Sequence, residues 1–226
     1  MSLNKLQKFL NIPLDKIEKL TSLDISNSDI EVIPKNLTKL VKLNCSNSKV
    51  QRIPSDLVNL KELNIDSTSI VNIPKDLIKL THLNCSNNKH ISKIPASFNN
   101  LLKLECNNLP NLSKLPNTLE KLEYLDISKT VITKLNANYF PKLKTLLISN
   151  TLIDKLSKNF NKLTQLDLSK TAIIRIPKEF NNLTKLNVSN TQINKINKEF
   201  NKLIDLNVSK SLVNNLNKDF DKIELL

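Results

Sequence analysis

One pattern of apolar residues recurs every 20 or 21 residues along almost the whole chain. It reads Leu-x-x-Leu-x-Ile-x-x-Thr-x-Ile-x-x-Ile-Pro-x-x-Phe-x-x, and positions within a repeat are counted from its first leucine. Ten copies begin at Leu20, Leu40, Leu60, Leu80, Leu101, Leu122, Leu143, Leu163, Leu183 and Leu203. A fixed period of this length indicates a solenoid, in which each repeat buries its apolar side chains against its neighbours. We therefore predict one elongated domain.

Each repeat is expected to contain one short strand and a return segment. Positions 4 to 6 alternate between apolar and polar residues, as in Leu23-Asp24-Ile25, which is typical of a strand with one buried face. About a dozen residues then lead to the next strand, and several of these segments contain proline, so a long helix does not fit. The strands must be parallel. They are predicted to line a concave face, with extended or 3₁₀ segments on the convex face.

Two columns of residues are expected to lie in the core. Position 18 or 19 carries leucine or phenylalanine in every repeat, and six of the seven phenylalanines of the chain fall there. Cys45, Cys85 and Cys106 all occupy position 6, where other repeats have Ile, Leu or Val. A disulfide between Cys85 and Cys106, on adjacent strands, is geometrically conceivable. We interpret the three cysteines as small buried hydrophobic residues with free thiols, as in a reducing compartment.

The turn after each strand is polar. Position 9 is Ser, Thr or Asn in nine of the ten repeats, with Leu109 as the exception. We expect these side chains to satisfy backbone groups and to form a polar ladder that joins neighbouring turns. Because the chain has no glycine, any left-handed turn position is expected to be asparagine.

The two ends differ from the repeats. Residues 1–19 are predicted to form an N-terminal cap and partial repeat, because Leu3, Leu6, Phe9 and Leu10 have helical spacing. Residues 20–226 are predicted to form the solenoid of ten repeats plus the start of an eleventh strand. No polar cap covers this last strand in the sequence, so either the chain is cut from a longer protein or its open end associates with another chain or a second copy.

The repeats resemble those of the leucine-rich repeat (LRR) superfamily, whose units read Leu-x-x-Leu-x-Leu-x-x-Asn-x-Leu. The resemblance covers about residues 12–226. The short period with Ile-Pro is similar to repeats of bacterial effector proteins, and the segments 83–88 and 125–130 are similar to repeats of AT-rich microbes and large DNA viruses. The usual turn asparagine is mostly Ser or Thr here, and the double Leu-Pro of the bacterial effectors is missing. The resemblance implies a right-handed α/β-type solenoid that binds proteins through its concave face.

The formal net charge of +13 is unevenly distributed. On the predicted concave positions 2, 3, 5, 7 and 8, eight lysines balance eight carboxylates. The excess therefore lies on the return segments, in three columns of Lys and Arg. We interpret these columns chiefly as a solvated outer surface, and alternatively as a site for nucleic acid or anionic lipid. The scarcity of arginine and of interleaved aromatic residues disfavours base stacking.

Large side chains interrupt an otherwise small and polar concave face in repeats 4 to 7. Binding energy concentrates in such residues. The predicted partner-binding residues are His82, Leu102, Glu105, Tyr124, Asp126 and Leu147. The same repeats contain three extra residues, near His90, Pro110 and Tyr139, which are either tolerated insertions or elements that shape the site.

No catalytic, metal-binding or cofactor-binding motif is evident. The chain lacks a glycine-rich phosphate loop and Cys-x-x-Cys pairs, and its two histidines have no metal-ligand spacing. We predict that the protein is not an enzyme and needs no cofactor. Neither a secretion signal nor a run of 18 apolar residues occurs, so a cytoplasmic location is expected, which is the host cytoplasm if the protein is a pathogen effector.

Three functions follow as hypotheses. The first is a non-enzymatic module that binds a protein or peptide through the concave face. The second is an electrostatic adaptor that binds nucleic acid or anionic membrane through its convex face. The third is the recognition segment of a larger effector enzyme. Strong salt dependence would distinguish the second from the first.

Overall fold

The computed structural model describes residues 2–214 and 224–225. Its strands form one parallel sheet in which chain order is spatial order. The strands are β1 Ser22–Asp24, β2 Lys42–Asn44, β3 Glu62–Asn64, β4 His82–Asn84, β5 Lys103–Glu105, β6 Tyr124–Asp126, β7 Thr145–Leu147, β8 Gln165–Asp167, β9 Lys185–Asn187, β10 Asp205–Asn207 and β11 Glu224–Leu225. The parallel-strand solenoid and the eleventh strand are thus as predicted.

Every strand of the first ten repeats covers positions 3 to 5, one residue earlier than the alternation in the sequence suggests. The position 4 leucines lie opposite one another, as in Leu23 and Leu43, and face the core. The ladder continues past each strand, since the Ile25 N–H donates to the Asn44 carbonyl at 2.8 Å. Positions 3 and 5 consequently face away from the core on one continuous surface.

The predicted core columns are buried. The residues at position 18 or 19 of the first nine repeats are at most 3% exposed, and the rings of Phe140 and Phe160 stack with centroids 6.5 Å apart. Phe220 lies outside the described residues. All three cysteines are buried and free, and burial raises the pKa of Cys45 to about 12. Thiols this difficult to ionise are unsuited to nucleophilic chemistry.

A left-handed residue ends each strand turn. All ten repeats have positive φ at position 8, between 53° and 57°. Asparagine fills it in six repeats, which agrees with the expectation from the absence of glycine. The expectation is wrong for the other four, which carry Ser67, Lys129, Lys170 and Lys210. Regular backbone stacking imposes the same turn on every repeat, whatever its side chain.

The polar residues at position 9 act mainly within their own repeat, and not between repeats as predicted. In eight repeats the hydroxyl donates to the position 6 carbonyl, for example Thr130 to Ile127 at 2.7 Å. Asn88 alone among the described residues of this column joins two turns, because its amide donates to the carbonyls of Cys85 and Ile65 and its oxygen accepts from Thr68. A hydroxyl is too short to span both.

The N-terminal helix α1 (Ser2–Leu10) and the short α2 (Leu14–Ile17) precede β1. Leu6 and Ile17 are fully buried against the first repeat, whereas Phe9 is 47% exposed. The return segments within the described residues are irregular turns apart from one 3₁₀ helix, Ala137–Tyr139, where one of the extra residues of repeats 4 to 6 lies. The convex face thus has the extended and 3₁₀ character that the proline positions predict.

Candidate functional site

Most side chains at concave position 5 hold the turn that follows their own strand. In eight repeats an Asp or Asn accepts a hydrogen bond from the position 7 N–H, as Asp24 does from Ser26 at 2.9 Å. This is an Asx turn, which explains why short acidic and amide residues recur there. These side chains are therefore part of the scaffold.

In two repeats the position 5 side chain does not make this turn contact, and both of these side chains belong to the predicted site. Position 5 is Glu105 in β5 and Leu147 in β7, and both lie next to Asp126 of β6 in register. Leu147 has no polar atom, and Glu105 pairs instead with Lys103, with an Nζ–Oε2 distance of 3.0 Å. Their side chains are half-buried and accessible from the concave face.

A cation, an aromatic ring and carboxylates meet in β5 and β6. Lys103 Nζ lies 4.9 Å from the ring centroid of Tyr124, its register partner, in a cation–π contact. Partial burial raises the pKa of Tyr124 to about 12, with smaller contributions from the negative charges of Asp126 and Glu105. The phenol therefore stays neutral at physiological pH and can donate a hydrogen bond to a partner.

The other predicted residues lie on the same face. Asp126 caps its turn through Ser128 and also accepts from the Asn107 amide at 2.9 Å, so its carboxylate is partly committed to the scaffold. Leu102, 38% exposed, precedes β5. His82 is exposed in β4, where it contacts the Thr81 hydroxyl and pairs in register with Lys103 and not with Glu105.

Lys103 is the functional candidate that sequence reasoning missed. It was counted only in the charge balance, although its 21-residue spacing from His82 and from Tyr124 places it between them in the sheet. A shallow groove of about 350 Å³ covers β1 to β5 and includes His82, Lys103 and Glu105. Tyr124, Asp126 and Leu147 continue the surface beyond the end of this groove.

The concave charges largely neutralise one another in the structure. Four ion pairs join concave residues: Lys42–Glu62, Lys103–Glu105, Lys144–Glu123 and Lys185–Asp205, with N–O distances of 2.7 to 3.7 Å. Exposed pairs of this kind contribute little to stability, but they remove free charge from the face. By contrast, the convex column at position 13 or 14 is fully exposed. It comprises Arg52, Lys93, Lys114, Lys134, Lys155, Arg175 and Lys195.

Two further observations limit the chemistry of the described residues. Within residues 2–214 and 224–225, no group of three or more His, Cys, Asp or Glu side chains could hold a metal ion. In the same part of the chain, no helix has the length and apolar character needed to cross a bilayer.

Several proteins of known structure have a similar fold. The family profile described as Leucine Rich Repeat matches residues 79–101. The functional domain of InlJ from Listeria monocytogenes is 25% identical, with a TM-score of 0.76 over 93% of this chain and 54% of that domain. The internalin InlF from the same species is 22% identical, with a TM-score of 0.86 over 99% of this chain and 73% of that one.

A third similar structure is YopM, a leucine-rich effector protein from Yersinia pestis. It is 18% identical, with a TM-score of 0.74, over 100% of this chain and 74% of that protein. No curated protein sequence matches the chain. The chain spans about half the length of the InlJ domain, and the likeness to InlF and YopM is one of fold.

Proposed function

We propose that this chain, which folds as a leucine-rich repeat solenoid, is a non-enzymatic interaction module that binds a protein or peptide through its concave face. The binding residues are His82, Leu102, Glu105, Tyr124, Asp126 and Leu147, with Lys103 added by the structure. The observation that carries the proposal is that, in repeats 5 and 7, the position 5 side chain does not accept the hydrogen bond from the position 7 N–H. Where the other repeats use this residue for the scaffold, Glu105 and Leu147 present their side chains to a partner.

The arrangement favours a partner segment with one apolar and one basic group. Tyr124 and Leu147 supply adjacent apolar area, and the hydroxyl of Tyr124 supplies a donor. Glu105 and Asp126 lie opposite each other in neighbouring strands and together attract a cation. Lys103 screens this charge in the free protein and must share Glu105 with the incoming group.

The experiment compares the wild-type protein with Leu147→Asn and Tyr124→Ala in quantitative affinity capture. Leu147→Asn gives repeat 7 the residue that caps the turn in other repeats, so its fold is expected to be preserved. Ile204→Asn is the matched control, because Ile204 is an aliphatic residue of the concave face that is 67% exposed and lies outside the site. Partners lost by both site variants and retained by the control support the proposal. Equal capture by all four proteins contradicts it.

The location and the wider role are proposed from the same observations. Three buried free thiols favour a reducing compartment such as the cytoplasm, and the similarity to YopM favours an effector that acts inside a host cell. A longer protein with an additional domain, and self-association through the end formed by β11, are both compatible with this proposal. Fractionation of the source cells and sedimentation of the purified chain test these points.

A second candidate function is an electrostatic adaptor for nucleic acid or anionic membrane. The exposed column of seven cations on the convex side supports it. Binding of duplex DNA or anionic vesicles should then fall steeply as salt rises from about 0.05 to 0.2 M, and should be lost when alternate cations of that column are replaced by Gln. Salt-insensitive binding that depends on Leu147 supports the concave site instead.

A further inference from the structure

We propose that the solenoid has a second, independent docking surface for an acidic protein segment that carries apolar side chains. It lies on the edge that follows the carboxyl ends of β6 to β8. We call it the edge patch, and it comprises Lys129, Val131, Leu152, Lys170, Ile174 and Arg175.

The edge patch has an exposed apolar part. Val131 is 40% exposed and Leu152 is 63% exposed, and both occupy position 10 of neighbouring repeats. Stacked repeats place equivalent positions about 4.8 Å apart, so these two side chains form one continuous surface. In the next repeat Ala172 occupies position 10, and Ile174, 58% exposed, lies two residues further on. In the first two repeats position 10 carries charged residues instead, Asp29 and Lys49.

Positive charge surrounds this apolar surface. Between positions 8 and 14, repeats 6 to 8 carry five exposed cations against one carboxylate, Asp154. The five are Lys129, Lys134, Lys155, Lys170 and Arg175. Among the residues that the structure describes, none of them forms an ion pair, whereas Lys42, Lys103, Lys144 and Lys185 at positions 2 and 3 of the concave face do. Charge complementarity therefore specifies an acidic partner.

Two cations of the edge patch have an unfavourable backbone conformation. Lys129 and Lys170 are held at φ of 57° and 55°, where six other repeats place asparagine. A long side chain with a Cβ is disfavoured in this left-handed conformation. Stacking imposes this conformation on position 8 of every repeat, Ser67 and Lys210 included, so the two lysines adopt it at a cost in stability. Here they place ammonium groups on either side of Leu152.

The composition of the edge patch favours protein over nucleic acid. Its centre is aliphatic, it contains no aromatic ring for base stacking, and it has a single arginine. A phosphate backbone would leave Leu152 and Ile174 without a partner, whereas a segment of alternating carboxylate and aliphatic side chains satisfies both parts.

The test uses three synthetic peptides of equal length in fluorescence anisotropy titrations with the full chain. One alternates Glu and Leu, one alternates Glu and Ser, and one alternates Lys and Leu. At about 0.15 M salt, where exposed charges are largely screened, the Glu/Leu peptide is expected to bind at least about tenfold more tightly than the other two. Equal affinity for the Glu/Ser peptide would show that the surface binds through charge alone, and would overturn the proposal.

Paired variants locate the binding site. Leu152→Ser with Lys170→Asn removes an apolar group and a charge, and is expected to fold because asparagine suits the left-handed position. Leu212→Ser with Lys210→Asn is the matched control, because these residues occupy the same positions 10 and 8 in repeat 10, and Leu212 is 52% exposed. The first pair should weaken Glu/Leu peptide binding about tenfold, while the control pair leaves it within about twofold.

Two other outcomes would also overturn the inference. One is unchanged peptide affinity in the Leu152→Ser, Lys170→Asn protein. The other is preferential loss of duplex DNA binding in that protein, which would make the surface a nucleic-acid site. The concave variant Leu147→Asn should bind the Glu/Leu peptide as the wild type does, so failure here is distinguishable from failure of the concave proposal.

Discussion

Replacing Lys170 by asparagine is expected to stabilise the protein. The gain comes from the backbone torsion of this residue and not from side-chain packing. Lys170 has φ of 55° at position 8 of repeat 8. The left-handed conformation costs an ordinary L-residue about 1–2 kcal/mol, and asparagine tolerates it better than residues with longer side chains. We therefore expect Lys170→Asn to raise the free energy of unfolding by about 0.5–1 kcal/mol. Adding Lys129→Asn and Lys210→Asn should raise it by about 1.5–3 kcal/mol in total.

Urea and thermal unfolding monitored by circular dichroism measure the effect. For a domain of this size, each 1 kcal/mol corresponds to about 2–4 °C in Tm. Two controls separate the backbone from the charge. Lys170→Ala removes the same charge but keeps a Cβ that the left-handed region disfavours, and Lys162→Asn makes the same substitution at an exposed position outside the positive-φ residues. Neither should stabilise the protein by more than a few tenths of a kcal/mol.

Equal stabilisation by Lys170→Asn and Lys170→Ala would refute this reasoning, because relief of charge repulsion would then be the cause. The same variant bears on the edge patch. If the lysines are retained for binding, the three asparagine substitutions should make the solenoid more stable and a weaker ligand for the Glu/Leu peptide.

Three other predictions concern the core and the turns. Asn88→Leu should destabilise the protein by about 2–4 kcal/mol in urea unfolding, because the buried carbonyls of Ile65 and Cys85 each lose their side-chain donor. A loss of stability below about 0.5 kcal/mol would contradict this account. Phe180→Ala should lower the free energy of unfolding by about 3–5 kcal/mol, and Phe180→Leu should lower it far less, since leucine fills the same column in earlier repeats. Similar losses of stability in the two variants would show that the column needs an aromatic ring. Iodoacetamide at about pH 8 should alkylate native Cys45 about a thousandfold more slowly than the unfolded chain, because burial raises the pKa of the thiol from 9.0 to about 12 and lowers the thiolate fraction by that factor. Rapid labelling of the folded protein would refute its burial.

The candidate site was only partly predictable from sequence. Repeat alignment identifies Glu105 and Leu147 as departures from the usual Asp or Asn at position 5. It does not reveal that the Asp or Asn caps a turn, and this contact is what makes the two departures meaningful. It also grouped Asp126 with them, although Asp126 keeps the scaffold contact. Lys103 was overlooked because its importance depends on its contacts with Glu105 in its own strand and with Tyr124 in the next repeat.

The repeat period by itself determined the parallel solenoid, the buried columns and the balance of charge on the concave face. Each of these follows from which residues recur at one spacing, because identical repeats stacked in register must place equivalent residues together. Only the tertiary structure decided the left-handed φ at Lys129 and Lys170, the direction of the hydrogen bonds at position 9, and the exposure of Leu152. These depend on backbone torsions and on how far each side chain reaches, which the ladder between neighbouring repeats imposes on residues that would not adopt them locally.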